Sequence, residues 1–190
     1  WELQGFGKYN YGFAKDSSKG KEKGLYKYEF LVPVAWKDKK INIVFEGAMT
    51  DTEVKINGKS AGAVHEGSYY AFKYDVSSLL TYGASNILEA SVSKHSAKVS
   101  VNAAERKGDF WIFGGIFRPV YLEILPAEYI DKLAISAESN GVFKAQLQLN
   151  DIRNATEVTA QIYTAKGQKI GETFRQEIQK GNQIITLNQT

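Results

Sequence analysis

The sequence alternates apolar and polar side chains at a period of two along much of its length, and this pattern limits the chain to a sheet fold. Five clear runs before residue 126 share the alternation: Tyr26–Val32, Ile41–Phe45, Tyr70–Tyr74, Leu88–Val92 and Val120–Ile124. Because successive side chains of a strand point to opposite faces, each run predicts a strand with one buried face. The sequence contains no long amphipathic helical pattern, and it therefore predicts an all-β fold.

Turn residues lie between these runs and support the same conclusion. Val54–Ile56 leads into Asn57-Gly58, a pair that favours a two-residue hairpin, because a type I′ turn needs positive φ at both central positions. Asp75–Leu80 predicts one short helical turn with Asp75 as its N-cap.

The pattern predicts two domains, with a boundary near Pro126. Residues 1–127 hold about eight strand-like runs, a number that suits a jelly-roll sandwich. Residues 128–190 continue the alternation from Ile130 onward, with turn signals such as Asn140-Gly141, as at the start of an immunoglobulin-like β-sandwich. Such a sandwich takes about 100 residues, so we expect this second domain to be truncated.

Composition excludes several classes of protein and site. The 190 residues include no cysteine, which excludes disulfide-stapled folds, zinc fingers and cysteine nucleophiles, and two histidines are too few for a histidine-rich metal site. The net charge is +3 and the charges are interspersed, so we expect no nucleic-acid partner. No run of 18 apolar residues predicts a membrane span, and no motif predicts a cofactor.

Seven segments, in order, resemble the sugar-binding domain of glycoside hydrolase family 2. This family includes β-galactosidases, β-glucuronidases and β-mannosidases. The segments are Leu25–Phe30, Ile43–Ala48, Val54–Lys59, His65–Val76, Gly83–Leu88, Asp109–Trp111 and Gly114–Val120, and the last two are similar to the family's "D-x-W" and "G-G-I-x-R-x-V". The proline of the family's "P-F-x-x-D-V-T" is absent here, and residues 1–18 resemble the family least.

The resemblance implies a galactose-binding-like jelly roll, then an immunoglobulin-like domain, then a TIM barrel that carries the two catalytic glutamates. We therefore expect the chain to be the non-catalytic N-terminal region of a retaining glycosidase. Turnover is expected to take place in the barrel and not in this chain. Its partners would be that C-terminal barrel and a β-glycoside. The resemblance also implies a bacterial enzyme that is periplasmic or secreted, although the absence of cysteine allows the cytoplasm equally.

Asp109 is the main candidate for contact with substrate. In β-galactosidases the aspartate of "D-x-W" reaches the active site, where it contacts sugar hydroxyls and a sodium ion. The resemblance assigns this role to Asp109 in the complete enzyme, because a carboxylate accepts several hydrogen bonds and ligates hard cations. The alternative is a surface aspartate in the turn that begins at Gly108.

Four further residues are candidates for substrate binding. Trp111 is either a sugar platform or a packing residue, in the core or against the barrel. Asn10 is a possible counterpart of a sugar-contacting asparagine of β-galactosidases, while His65 and Glu66 could line a groove beside a glycine turn. Arg118 is expected to be structural, with its guanidinium paired to a buried carboxylate.

Two other functions stay open at this point. A stand-alone carbohydrate-binding module would bind glycans through an aromatic face without any barrel. A structural or adhesion protein made of stacked sandwiches would bind a protein. Residues 1–190 carry 21 acidic side chains but no Ser-His-Asp order, phosphate loop or metal-ligand cluster, so hydrolysis by this chain alone is not expected.

Overall fold

A computed structural model describes residues 1–13, 22–179 and 184–189. Contacts divide the chain into two compact units, Trp1–Ile124 and Leu125–Thr190. Strands predominate in both units, which confirms the predicted all-β class. None of the helices in the described residues is long and apolar enough to cross a membrane.

The first unit contains nine described strands and one short helix. In chain order they are β1 (Asn10–Tyr11), β2 (Lys23–Leu31), β3 (Lys40–Phe45), β4 (Glu53–Ile56), β5 (Lys59–Ser60), β6 (Phe72–Asp75), β7 (Ser85–Ser93), α1 (Val99–Glu105), β8 (Trp111–Ile112) and β9 (Val120–Leu125). Two single 3-10 turns, Glu2–Gln4 and Val34–Trp36, complete the unit.

Two sheets enclose the core of the first unit. One has the strand order β2-β7-β4-β5 and the other the order β6-β3-β9. Alternate side chains of these strands are almost completely buried between them, including Ile41, Ile43, Phe45, Val54, Ile56 and Val92. This arrangement is the two-layer sandwich that the alternation predicts. Among the described strands, β1 and β8 pair with each other alone and form a separate two-stranded ribbon.

The predicted hairpin turn is confirmed, and Asp75 caps the single turn predicted after it, in which the N–H of Leu79 donates to the carbonyl of Val76 at 2.8 Å. Asn57 and Gly58 both have positive φ, at 53° and 77°, between β4 and β5. Asp75 ends β6, and its Oδ1 accepts hydrogen bonds from the backbone N–H and hydroxyl of Ser77, at 3.0 and 2.7 Å. Ser77 Oγ in turn accepts the N–H of Ile41 at 2.8 Å, so this capped turn, which is too short to count as a helix, is joined to β3.

The second unit contains five described strands in two small sheets. They are β10 (Tyr129–Ala137), β11 (Phe143–Asn150), β12 (Glu157–Tyr163), β13 (Lys169–Glu177) and β14 (Ile184–Gln189). The sheet orders are β10-β11-β14 and β12-β13, with a shared cluster of buried apolar side chains. Gly141, at positive φ, lies in the predicted turn after β10, and Gly167, also at positive φ, lies in the turn after β12.

Candidate functional site

The ribbon of β1 and β8 brings together three of the five predicted site residues. Asn10 pairs with Ile112, and Tyr11 pairs with Trp111, so the two strands run antiparallel. The backbone N–H of Gly12 then donates to the carbonyl of Phe110 at 2.8 Å. Asp109 comes immediately before this pairing and therefore lies at the end of the ribbon.

A glycine at position 12 allows the backbone at the end of β1 to approach the backbone of Gly108 closely. A Cβ at Gly12 would lie only 2.3 Å from the carbonyl oxygen of Gly108, and that oxygen belongs to the backbone, so it cannot swing aside. The close approach fixes the turn that carries Asp109 against the end of β1.

Asp109 and Tyr11 form the polar part of the site. The hydroxyl of Tyr11 donates a hydrogen bond to Oδ1 of Asp109, and both side chains lie at the surface. This bond to the carboxylate raises the pKa of Tyr11, so the phenol stays protonated and remains a donor. A carboxylate has about four acceptor positions, so Asp109 can accept further hydrogen bonds from a ligand.

Aromatic side chains surround this polar pair. Trp111 is 57% exposed, and its ring centroid lies 5.6 Å from that of Tyr11 and 6.4 Å from that of Tyr9. Phe13 and Phe113 extend the cluster by edge contacts with these tyrosines. We call these five side chains the aromatic ribbon. The exposure of Trp111 excludes a place in the core of this unit, whereas Asn10 is buried beneath the ribbon surface.

His65 and Glu66 lie outside the ribbon and have local partners. The His65 ring stacks on Phe72 at 3.7 Å, and its main chain pairs with Thr52. Burial lowers the pKa of His65, which favours the neutral imidazole at neutral pH. Glu66 pairs with Lys98 at 2.8 Å. The substrate-binding roles of both residues stay predictions.

Among the residues that the structure describes, Arg118 does not have the carboxylate partner that the sequence suggested. Its guanidinium donates to the main-chain carbonyls of Glu46 and Tyr69, at 3.4 and 3.5 Å, and lies over the ring of Phe117. The expected pairing with a buried carboxylate is therefore wrong. The exposed position of Arg118 explains the difference, because an arginine that keeps contact with water does not need a neutralising carboxylate.

Sequence reasoning missed the buried charges that hold the ribbon in place. Lys94 is fully buried and lies between the carboxylates of Glu2 and Glu22, at 2.9 and 3.0 Å. Arg106 is also buried, and its Nε donates to the carbonyl of Lys94 at 3.0 Å. Both cations stand among polar neighbours in the sequence and look like ordinary surface residues there.

Comparison with known proteins agrees with the resemblance. The sequence matches the family "Glycosyl hydrolases family 2, sugar binding domain" over residues 4–126. It is 32% identical to a β-glucuronidase of Bacteroides fragilis over 144 residues, which are 70% of this chain and 19% of that protein. It is 34% identical to a β-galactosidase of Thermoanaerobacter pseudethanolicus over 106 residues, or 55% of this chain and 14% of that one.

A solved structure with the same fold is a calcium-binding mutant of Bacteroides uniformis β-glucuronidase 2. Its TM-score is 0.76 at 27% identity, and the match covers 95% of this chain and 23% of that one. The chain thus spans about a fifth of the length of the relatives that it matches. On the match over residues 4–126, the chain belongs to glycosyl hydrolase family 2 and contains the sugar-binding domain of that family.

Proposed function

We propose that the chain is the non-catalytic part of a family 2 β-glycosidase and that it holds the sugar at Asp109. One observation carries this proposal: an exposed carboxylate, fixed by the Tyr11 hydroxyl, lies beside the exposed ring of Trp111. Both lie on a ribbon that is separate from the two sheets of the sandwich. Polar acceptors next to an aromatic face are what a sugar needs, since sugars combine hydroxyl groups with apolar C–H faces.

The same geometry argues against hydrolysis by Asp109 itself. A retaining glycosidase needs two carboxyl groups about 5–5.5 Å apart, one as nucleophile and one as acid/base. The partner that holds Asp109 is a phenol hydroxyl, which orients the carboxylate as an acceptor. The match covers 19% of the Bacteroides fragilis relative, and we place the catalytic carboxylates in the part of the enzyme that corresponds to the rest of that protein.

In this proposal each group has a separate task at the sugar. Tyr11 occupies one acceptor position of Asp109 and so limits the rotation of its carboxylate. The remaining lone pairs accept hydrogen bonds from sugar hydroxyls, while Trp111 excludes water from one side of the ring. A sodium ion at Asp109 also stays a proposal. The described residues contain no cluster of three or more His, Cys, Asp or Glu side chains for a metal, so the other ligands of such an ion would come from elsewhere in the complete enzyme.

The carboxylate of Asp109 also restricts which part of the substrate lies next to it. An anionic group of the substrate would be repelled at hydrogen-bond distance, so a neutral hydroxyl edge is favoured. A β-galactoside has neutral hydroxyl groups on every edge of its sugar ring. A β-glucuronide has them only on the edge away from its carboxylate. The relatives include one named β-galactosidase and one named β-glucuronidase, which supports the proposal of either sugar as substrate.

The first test is the size of the native product and its activity. A TIM barrel adds about 250 residues, so an immunoblot of source cells should show at least twice the 21.2 kDa of this chain. The purified 190-residue chain should not hydrolyse nitrophenyl β-galactoside or β-glucuronide. A native product of 21 kDa that binds oligosaccharides would instead support the carbohydrate-binding module.

The second test is an Asp109→Asn variant of the complete glycosidase. Asparagine keeps the shape but removes the charge, so we expect kcat/KM to fall by about 10- to 100-fold, the value of a hydrogen bond to a charged group. Glu53→Gln, which removes a half-buried carboxylate from β4, is the matched control and should change kcat/KM less than twofold. Equal activity of both variants would refute the role of Asp109.

A further inference from the structure

The side chain of Lys94 is fully buried directly after β7, although lysine is rarely buried without partners. Its Nζ lies 2.9 Å from Oε1 of Glu2 and 3.0 Å from Oε2 of Glu22, and it donates to the carbonyl oxygen of Lys8. An ammonium group has three donors, and these three acceptors satisfy all of them. The Lys94 ammonium group can therefore make all of its hydrogen bonds only in this one position.

These acceptors connect Lys94 to both strands of the ribbon. Lys8 comes two residues before β1, and its own N–H donates to Oε1 of Glu22 at 3.2 Å. On the other side, Oε1 of Glu2 accepts the N–H of Gly114, two residues after β8, at 2.7 Å. One buried ammonium thus fixes the chain that enters β1 and the chain that leaves β8.

Arg106 extends this network to the turn that carries Asp109. Its Nε donates to the carbonyl of Lys94 at 3.0 Å, and its guanidinium also donates to the hydroxyl of Ser68. Arg106 lies three residues before Asp109, so the segment that enters the site begins at a buried, bonded side chain. The ends of the ribbon therefore share one polar network.

Stability alone is a weak reason for such a network. Moving charges out of water costs about as much as their attraction returns, and apolar replacements of buried ion pairs are often neutral or stabilising. What a buried ion pair does supply is a single arrangement, because any displacement leaves a charge without its partners. We propose that Lys94 is a positioning residue for the Asp109 site, acting through Lys8 and Gly114; this inference rests on the proposed function.

The test removes all three charges of the cluster together. Lys94→Met alone would leave the buried carboxylate of Glu2 and the partly exposed carboxylate of Glu22 without their cation, so the main variant combines it with Glu2→Gln and Glu22→Gln. The matched control combines Lys55→Met with Glu53→Gln, because this exposed pair at 3.3 Å has the same chemistry on the sheet surface.

The first readout needs no sugar and uses the three tryptophans of the chain. In 5-fluorotryptophan-labelled protein, fluorine NMR should give one signal each for Trp1, Trp36 and Trp111. We expect the Trp111 signal of the triple variant to move towards its unfolded position, while the signal of Trp36, which packs against the core, stays in place. A folded triple variant with an unchanged Trp111 signal would overturn the inference.

A second variant covers the possibility that the triple variant does not fold. Glu22→Gln alone leaves Lys94 paired with Glu2, so the cluster changes from one net negative charge to none, while the N–H of Lys8 loses its carboxylate acceptor. We expect the Trp111 signal to move in the same direction by a smaller amount. An unmoved signal in this folded variant would also overturn the inference.

The second readout separates this inference from the proposed function. In the complete glycosidase, the triple variant should lower kcat/KM by about 10-fold or more, as expected when a binding group is misplaced by about 1 Å. If Asp109→Asn lowers activity and the triple variant does not, the positioning role is refuted and the proposed function stands. If Asp109→Asn has no effect, the proposed function fails, and the fluorine signal alone decides whether Lys94 orders the ribbon.

Discussion

The two units of the chain expose apolar side chains for different reasons. In the first unit the core-facing side chains of the sheets are covered, as Phe45 and Ile56 show with no exposed surface. In the second unit Leu147 of β11 is buried, yet its cross-strand neighbour Leu133 on β10 is 55% exposed. Ile135, opposite the buried Ala145, is 60% exposed.

Cross-strand neighbours lie on the same face of a sheet, so this comparison locates the exposed surface. The face that is covered over β11 is open over β10. Leu133 and Ile135 are thus core-facing side chains without a cover, whereas the aromatic ribbon of the first unit lies outside any core. Exposure indicates a candidate binding surface in the first unit and an unfilled packing surface in the second.

Truncation of one core-facing side chain in each unit should give the largest difference in unfolding free energy between the two units. Phe45→Ala removes a fully buried ring that stacks on Phe72 at 5.0 Å, so the first unit should lose about 3–5 kcal/mol of unfolding free energy. Leu133→Ala, at a half-exposed position, should cost the second unit about 1 kcal/mol or less. Hydrogen exchange during urea denaturation measures the two units separately, and similar losses in both would contradict the comparison.

The two Asn-Gly turns provide a smaller, matched contrast. Asn57 donates to Asn86 Oδ1 at 2.8 Å and accepts the N–H of Ile87 at 2.9 Å. Asn57→Ala should therefore destabilise the first unit by about 2 kcal/mol. Asn140 makes exposed local bonds, accepting the N–H of Val142 at 3.0 Å and donating to Glu138 Oε2 at 3.3 Å, so Asn140→Ala should cost about 0.5 kcal/mol. Urea midpoints of both variants measure this contrast, and a larger loss at Asn140 would reverse it.

The smallest expected effect is a pH dependence confined to the second unit. Backbone N–H groups of Arg153, Asn154 and Ala155 donate to the Glu128 carboxylate and lower its pKa to about 2. A carboxyl group with a lowered pKa stabilises the fold above its unfolded pKa of about 4.5, and this contribution is lost as the pH falls towards 2.

NMR shifts of these three amides should therefore titrate with a midpoint near pH 2, and Glu128→Gln should remove the transition. Amides of the first unit, such as that of Ile87, provide the control and should not follow this midpoint. A midpoint near 4.5 would show that the three bonds are not kept in solution.

Period-two alternation predicted the strands because it reports the one property that each sheet requires, a single buried face. It succeeded at β2, β3 and β7 and in the hairpin at Asn57, where local chemistry and burial agree. It missed α1, since Val99–Glu105 has no side-chain cap and no buried face that a periodic pattern could reveal.

The candidate site was predictable in part. Asp109 and Trp111 were found through a family motif, and the structure adds Tyr11, which no motif marks and which only the pairing of β1 with β8 brings to Asp109. The burial of Lys94 depends on Glu2, which is 92 residues away in sequence. A lysine with so distant a partner carries no local signal that distinguishes it from a surface lysine.

A set of deoxy substrates can identify the sugar hydroxyl that donates a hydrogen bond to Asp109. The measurement is kcat/KM of the complete glycosidase and of its Asp109→Asn variant on nitrophenyl glycosides that each lack one hydroxyl. We expect the 10- to 100-fold loss caused by Asp109→Asn to disappear with one deoxy substrate, because that substrate already lacks the hydrogen bond to Asp109. An unchanged loss with every deoxy substrate would contradict a contact between Asp109 and the sugar.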